Sequence, residues 1–204
     1  SELAIKLLSS QITNSKNELK ESAFYFLIDE RKGSRELINK LEVLDLICRK
    51  LNKKKIEYII LDGMTSIPNY GSGLKVNNFN ISSKIIKQAE KVISENGLKL
   101  KSLDGLTLIE KNKICSKFKI ISSFASYGSG MIYPIYILNI PITIGGTDVV
   151  ISKKIFKRWH WHFTENCHPF RRTKEVLIPS NSYSKNGYKL NLCFLDNYLE
   201  KNLK

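Results

Sequence analysis

Three stretches of this 204-residue chain carry side chains or backbone that could do chemistry. In Ser126-Tyr127-Gly128-Ser129-Gly130, two glycines flank a serine just ahead of an apolar segment. Glycine lets the backbone approach a ligand closely, and a helix starting near Met131 would aim unpaired N–H groups and its positive dipole end at an anion. Without a ligand the same residues make a plain strand-to-helix turn, and a bare G-S-G does not choose between the two. In Glu30-Arg31-Lys32-Gly33-Ser34-Arg35, two guanidinium groups four residues apart can clamp a diphosphate bidentately. Cations at a helix start oppose the helix dipole, so an anion there would rationalise them; the alternative is a pair of surface arginines.

The third stretch, Trp159 to Arg172, gathers both tryptophans and all three histidines. His160, His162 and Glu165 are candidates for a general base, against a reading as solvated residues among packed aromatics. Trp159 and Trp161 can stack on a sugar or a base, or serve as core anchors. Cys167 and His168 add possible zinc ligands, but a well-spaced fourth ligand and an H-E-x-x-H helix are both missing. No Walker lysine motif, nucleophile-elbow G-x-S-x-G or D-x-D pair occurs, so any reaction is expected to need no metal and no cofactor.

The elements that would position these stretches alternate. Residues 23–29 (AFYFLID) and 56–63 (IEYIILDG) are uninterrupted apolar runs ending in charge, the pattern of buried parallel strands. Between them Leu37, Leu41, Leu44, Ile47, Cys48 and Leu51 recur at helical steps, with Ser34 as a possible N-cap. Residues 64–80, rich in Pro, Gly and Asn, form a loop long enough to be functional. A helix is expected over 81–98 with Gly97 as its stop, a short strand over 98–105, and a helix over 106–118 capped by Asp104 or Thr107. A strand over 119–126, an apolar helix from Met131 to Leu138 and a strand over 142–146 follow. Residues 148–173 read as part helix and part loop, 174–179 as a strand, and 192–204 as a closing helix. The fold class this implies is α/β, a doubly wound, mostly parallel sheet with helices on both faces. Residues 1–22 read as a helical lead-in and 23–204 as one Rossmann-like unit, less regular over 147–204.

Lys and Arg number 33 against 19 Asp and Glu, a net charge of +14, which favours anionic partners: nucleotide phosphates, nucleic acid or an anionic membrane. The four cysteines lack paired spacing, and neither a spanning apolar run nor a signal peptide is visible, so a reducing, cytoplasmic setting is expected. A chain opening on Ser1 fits a processed or excised piece.

The order of elements, with ERKGSRELINKLE after the first strand, IILDG in the second and the glycine-rich turn before an apolar helix, resembles the C-terminal, donor-binding half of GT-B glycosyltransferases of bacterial polysaccharide assembly. The resemblance covers roughly residues 23–146. It implies a nucleotide-sugar donor whose diphosphate contacts Arg31, Arg35, Gly128, Ser129 and Gly130. Asn39 would stand on the adjoining helix, Asp62 or Thr65 would lie near the nucleoside, and Tyr127 stands where some relatives carry histidine. It further implies a glycan or lipid-linked acceptor, work at the inner face of an anionic membrane, and a separate N-terminal domain. The rival expectation is a basic nucleic-acid-binding or nuclease-like protein whose lysines track phosphates.

Overall fold

The computed structural model describes residues 20–28, 36–63, 81–126, 131, 133–146, 167–169 and 187–202. Strands β1 (Glu21–Leu27), β2 (Tyr58–Asp62), β3 (Lys99–Ser102), β4 (Phe118–Ser126), β5 (Ile142–Gly145) and β6 (Cys167–Pro169) form one sheet in the order β3-β2-β1-β4-β5-β6. Every pairing is parallel. The α/β, doubly wound architecture read from the sequence is therefore the one observed.

Helices α1 (Lys40–Lys53), α2 (Ser83–Glu95) and α4 (Leu192–Asn202) cover one face. Their buried Leu44, Ile47, Leu51, Ile93, Leu195 and Leu199 meet Phe24, Phe26, Ile59, Leu61 and Phe124. On the other face, α3 (Leu108–Cys115) and a π-helical turn at Tyr133–Ile137 pack on Tyr25, Leu27, Ile60, Ile142 and Ile144. The chain steps outward from β1 to β3 under α1 and α2, then jumps back past β1 to β4 under α3. Crossovers of one hand demand this change of face when the direction reverses.

Several boundaries differ from those expected. Helix α1 begins at Lys40, not near Ser34, which lies outside the described residues. Its would-be first turn is taken by a contact with the chain's far end: Leu37 bridges Tyr188, Tyr188 N–H donates to Glu36 C=O (2.7 Å), and Ile38 N–H donates to Tyr188 C=O (2.8 Å). No local signal carries that pairing. Thr107, not Asp104, caps α3, in a reciprocal capping box with Glu110. The expected apolar helix from Met131 to Leu138 is only a π turn. Its proline at Pro134 offers no N–H, and Pro141 discourages helical backbone just before it. Residues 167–169, expected within a stretch of helix and loop, form the edge strand β6 beside β5. Three residues are too few to show a period, and an edge strand tolerates Pro169. Gly97 does end α2, with φ of +73°. Of the helical lead-in expected over 1–22, Glu21 and Ser22 instead open β1 and residues 1–19 lie outside the described residues, as does the strand expected over 174–179.

Candidate functional site

Because every strand runs the same way, each strand-to-helix connection leaves from one edge of the sheet. The order reverses between β1 and β4, which are hydrogen-bonded neighbours. Open α/β sheets bind ligands in the crevice at such a reversal, outside the carboxyl ends of the strands. The two stretches singled out for diphosphate binding follow these two strands in sequence: Arg31 and Arg35 come after Ile28, and Tyr127 to Gly130 come after Ser126. Arg31, Arg35, Thr65, Tyr127, Gly128, Ser129, Gly130, His160, His162 and Glu165 all lie outside the described residues.

The described part of this edge is tightly built. Ile28 N–H donates to the Asp62 carbonyl at 2.9 Å, tying the end of β1 to the end of β2. At β4, the Tyr188 hydroxyl donates to Ser126 Oγ at 2.8 Å. Opposite Ser126, a Cβ at Gly145 would come within 3.2 Å of that same Tyr188 hydroxyl. A side chain there would crowd Phe124, Leu190 and the tyrosine, each of which would have to give way slightly. Asn39 holds the Tyr188 segment from the other side: its amide nitrogen donates to the Leu190 carbonyl (2.9 Å) and its oxygen accepts from Leu190 N–H (3.0 Å). Asn39 thus spends both ends of its amide in joining α1 to the C-terminal segment.

Asp62, at the carboxyl end of β2, turns its side chain into the protein. It is 1% exposed, ion-paired with Lys111 of α3 and hydrogen-bonded by the Tyr25 hydroxyl. Lys111 and Tyr25 are wholly buried. Burial pushes the Asp62 carboxyl up from its ordinary range, while the Lys111 ammonium and the Tyr25 hydroxyl pull it back. Burial likewise drives the Tyr25 hydroxyl well up, and the Asp62 charge adds to that, so it stays a donor. A second polar pair adjoins: Tyr133, whose ring lies 6.0 Å from that of Tyr25, donates to Asn112 at 2.8 Å. Among the described residues no buried side-chain nitrogen or oxygen lacks a partner.

The adjoining Gly63 is equally constrained. Asp104 accepts the Ile81 N–H with both carboxylate oxygens at 3.0 Å, and a Cβ on Gly63 would lie 2.2 Å from Asp104 Oδ1. The end of β2 and the chain entering α2 are thereby pinned together at the end of β3.

Ser126 opens the glycine-rich stretch singled out from the sequence, whereas Tyr25, Lys111 and Tyr188 were not among the residues singled out. One signal for Lys111 was there: it sits three residues after Leu108 and four before Cys115, on the apolar stripe of a helix, where an unpaired charge has no business. No group of three or more metal-ligating side chains occurs among the described residues, and no described helix is long and apolar enough to cross a membrane. Comparison with family models, with curated proteins and with solved structures gives no match.

Proposed function

We propose that the chain binds the diphosphate of a nucleotide sugar at the carboxyl ends of β1 and β4 and acts as a glycosyltransferase, or as its donor-binding half. The observation that carries this reading is the strand order: it makes neighbours of the two strands from which the Arg31–Arg35 and Tyr127–Gly130 segments run on, at the point where the sheet reverses. Two arginines and a set of free N–H groups are what a diphosphate leaving group needs when no metal neutralises it. The bond from the sugar's anomeric carbon to the diphosphate oxygen breaks, an acceptor hydroxyl bonds to that carbon, and the hydroxyl proton passes to a base. His160, His162 and Glu165 are the candidates for that base. Asp62 and Asn39 serve the same site from behind, Asp62 by fixing the end of β2 against α3 and Asn39 by fixing the start of α1. A net charge of +14 suits anionic donors and the acidic glycans or glycolipids of bacterial surface polysaccharide assembly.

Thermal unfolding against a panel of nucleoside diphosphates and their sugar conjugates tests the reading. A ligand at 100 times its dissociation constant stabilises by about 2.7 kcal/mol, and that shift is expected to vanish in Arg31→Ala and in Gly128→Val. If no nucleotide shifts the transition while RNA or DNA binds with steep salt dependence, the nucleotide-sugar reading fails and the nucleic-acid reading replaces it.

A further inference from the structure

At the opposite, amino edge of the sheet the turns from helix to strand collect lysines. Lys53, Lys54 and Lys55 close α1 ahead of β2, Lys99 opens β3, and Lys117 and Lys119 open β4; all six are exposed. Strand register sets them level: Lys99 pairs with Tyr58, Tyr58 with Ala23, and Phe118 with Glu21, while Ser22 Oγ donates to the Lys55 carbonyl. With neighbouring strands about 4.8 Å apart, four strand starts make a strip roughly 15 Å across. None of the six is in ion-pair contact with a carboxylate among the described residues. Of the carboxylates toward this end among the described residues, Glu21 accepts from the Tyr58 hydroxyl (3.1 Å), Glu95 pairs with Lys91, and Asp196 and Glu200 share Lys50. Glu21 and Glu57 attract the Lys99 ammonium and Glu200 attracts that of Lys53, but the six lysines outnumber the carboxylates that act on them.

We infer that this lysine edge is a docking surface for an anionic lipid bilayer. The inference does not rest on the nucleotide-sugar reading, since the donor site would lie at the other end of the strands. The cations are all lysine, the compact point charge suited to the diffuse surface potential of an anionic bilayer. The aromatics at this edge are not laid out as a stacking platform for single-stranded nucleic acid. Tyr58 and Phe118 tilt against each other at 5.0 Å and 57°, and the Lys99 ammonium sits 5.0 Å over the Tyr58 ring. The tyrosine face that a base would stack on is covered.

Flotation of the full chain with vesicles of phosphatidylcholine alone, or with added phosphatidylserine, at low and high salt tests this. Binding is expected only to the anionic vesicles and to fade at high salt. Lys54→Gln/Lys117→Gln is expected to lower the partition coefficient at least tenfold, at about fivefold per lysine. The charge-matched Lys84→Gln/Lys87→Gln, on exposed α2 positions toward the other end of the strands, should lower it less than threefold. The inference is overturned if anionic vesicles are not bound, or if the two double variants weaken binding equally. It is also overturned if the edge variant leaves vesicle binding intact but abolishes binding to a short RNA or DNA duplex.

Discussion

The two faces of the sheet are built on different physics. The face under α1, α2 and α4 is largely apolar: the Phe26 and Phe124 rings stack at 5.2 Å, and its buried polar contacts include the neutral Tyr188–Ser126 and Asn39–Leu190 hydrogen bonds. The face under α3 has a shorter helix and one π turn, and within its apolar surround it buries a carboxylate, an ammonium and a phenol. Leucine packing is tolerant of exchange and non-directional. A buried ion pair is neither, because each charge depends on its partner being in place. Directional groups sit where the position of a strand end matters, which here is the end of β2 beside the reversal point.

The largest effect expected from breaking this contrast is at the ion pair. Lys111→Met leaves the Asp62 carboxylate buried with the Tyr25 hydroxyl and the Gly63 N–H but no opposite charge, and should cost about 3–5 kcal/mol in denaturant unfolding. Asp62→Asn combined with Lys111→Met should cost less than either single change, since no charge is then stranded. A double variant as unstable as the sum of the singles would show that packing, not charge, holds that face.

On the apolar face, Leu44→Ala should cost about 2–5 kcal/mol through lost burial and a cavity, with no single polar change elsewhere able to rescue it. Next in size is Gly63→Ala, whose new methyl must displace both Asp104 and Ile81; about 1–3 kcal/mol of destabilisation is expected. A neutral result there would mean that the ends of β2 and β3 have room to part.

The smallest effect separates the faces by their thiols. Cys48 is on the buried side of α1 and Cys115 ends α3, and burial pushes both up to about 12 from an ordinary value of 9.0. A raised folded pKa means that the native state holds protons the unfolded chain has lost. The stability they contribute is complete below pH 9 and is lost as the pH climbs toward about 12. Exposed Cys193 should alkylate at once in the native protein, while Cys48 and Cys115 react only on unfolding. In Lys111→Met, Cys115 should become reactive before Cys48, as read by mass spectrometry.

Much of the apolar face was legible in the sequence, because its helices follow a 3.6-residue period and its strands are continuous apolar runs. That the strands run parallel followed from alternation alone; their order across the sheet did not. The late start of α1 was not legible: it depends on Tyr188, some 150 residues downstream, with which Leu37 pairs. Nor was the ion pair, since Asp62 read as a strand-end carboxylate facing a ligand and its partners lie on a helix and a strand far away in the chain. Lys111 in an apolar helical stripe was the one local clue. The short π turn and the three-residue β6 are set by prolines and by sheet-edge geometry, which periodicity does not report.

The most direct test of the account is amide NMR of the labelled chain titrated with the common nucleoside diphosphates. The donor-site reading predicts that one of them shifts resonances at Ile28, Glu36, Ser126 and Gly146, around the carboxyl ends of β1, β4 and β5, and leaves Lys99 and Lys117 still. Shifts centred on Lys99 and Lys117, or no shift with any nucleoside diphosphate at millimolar concentration, would contradict it.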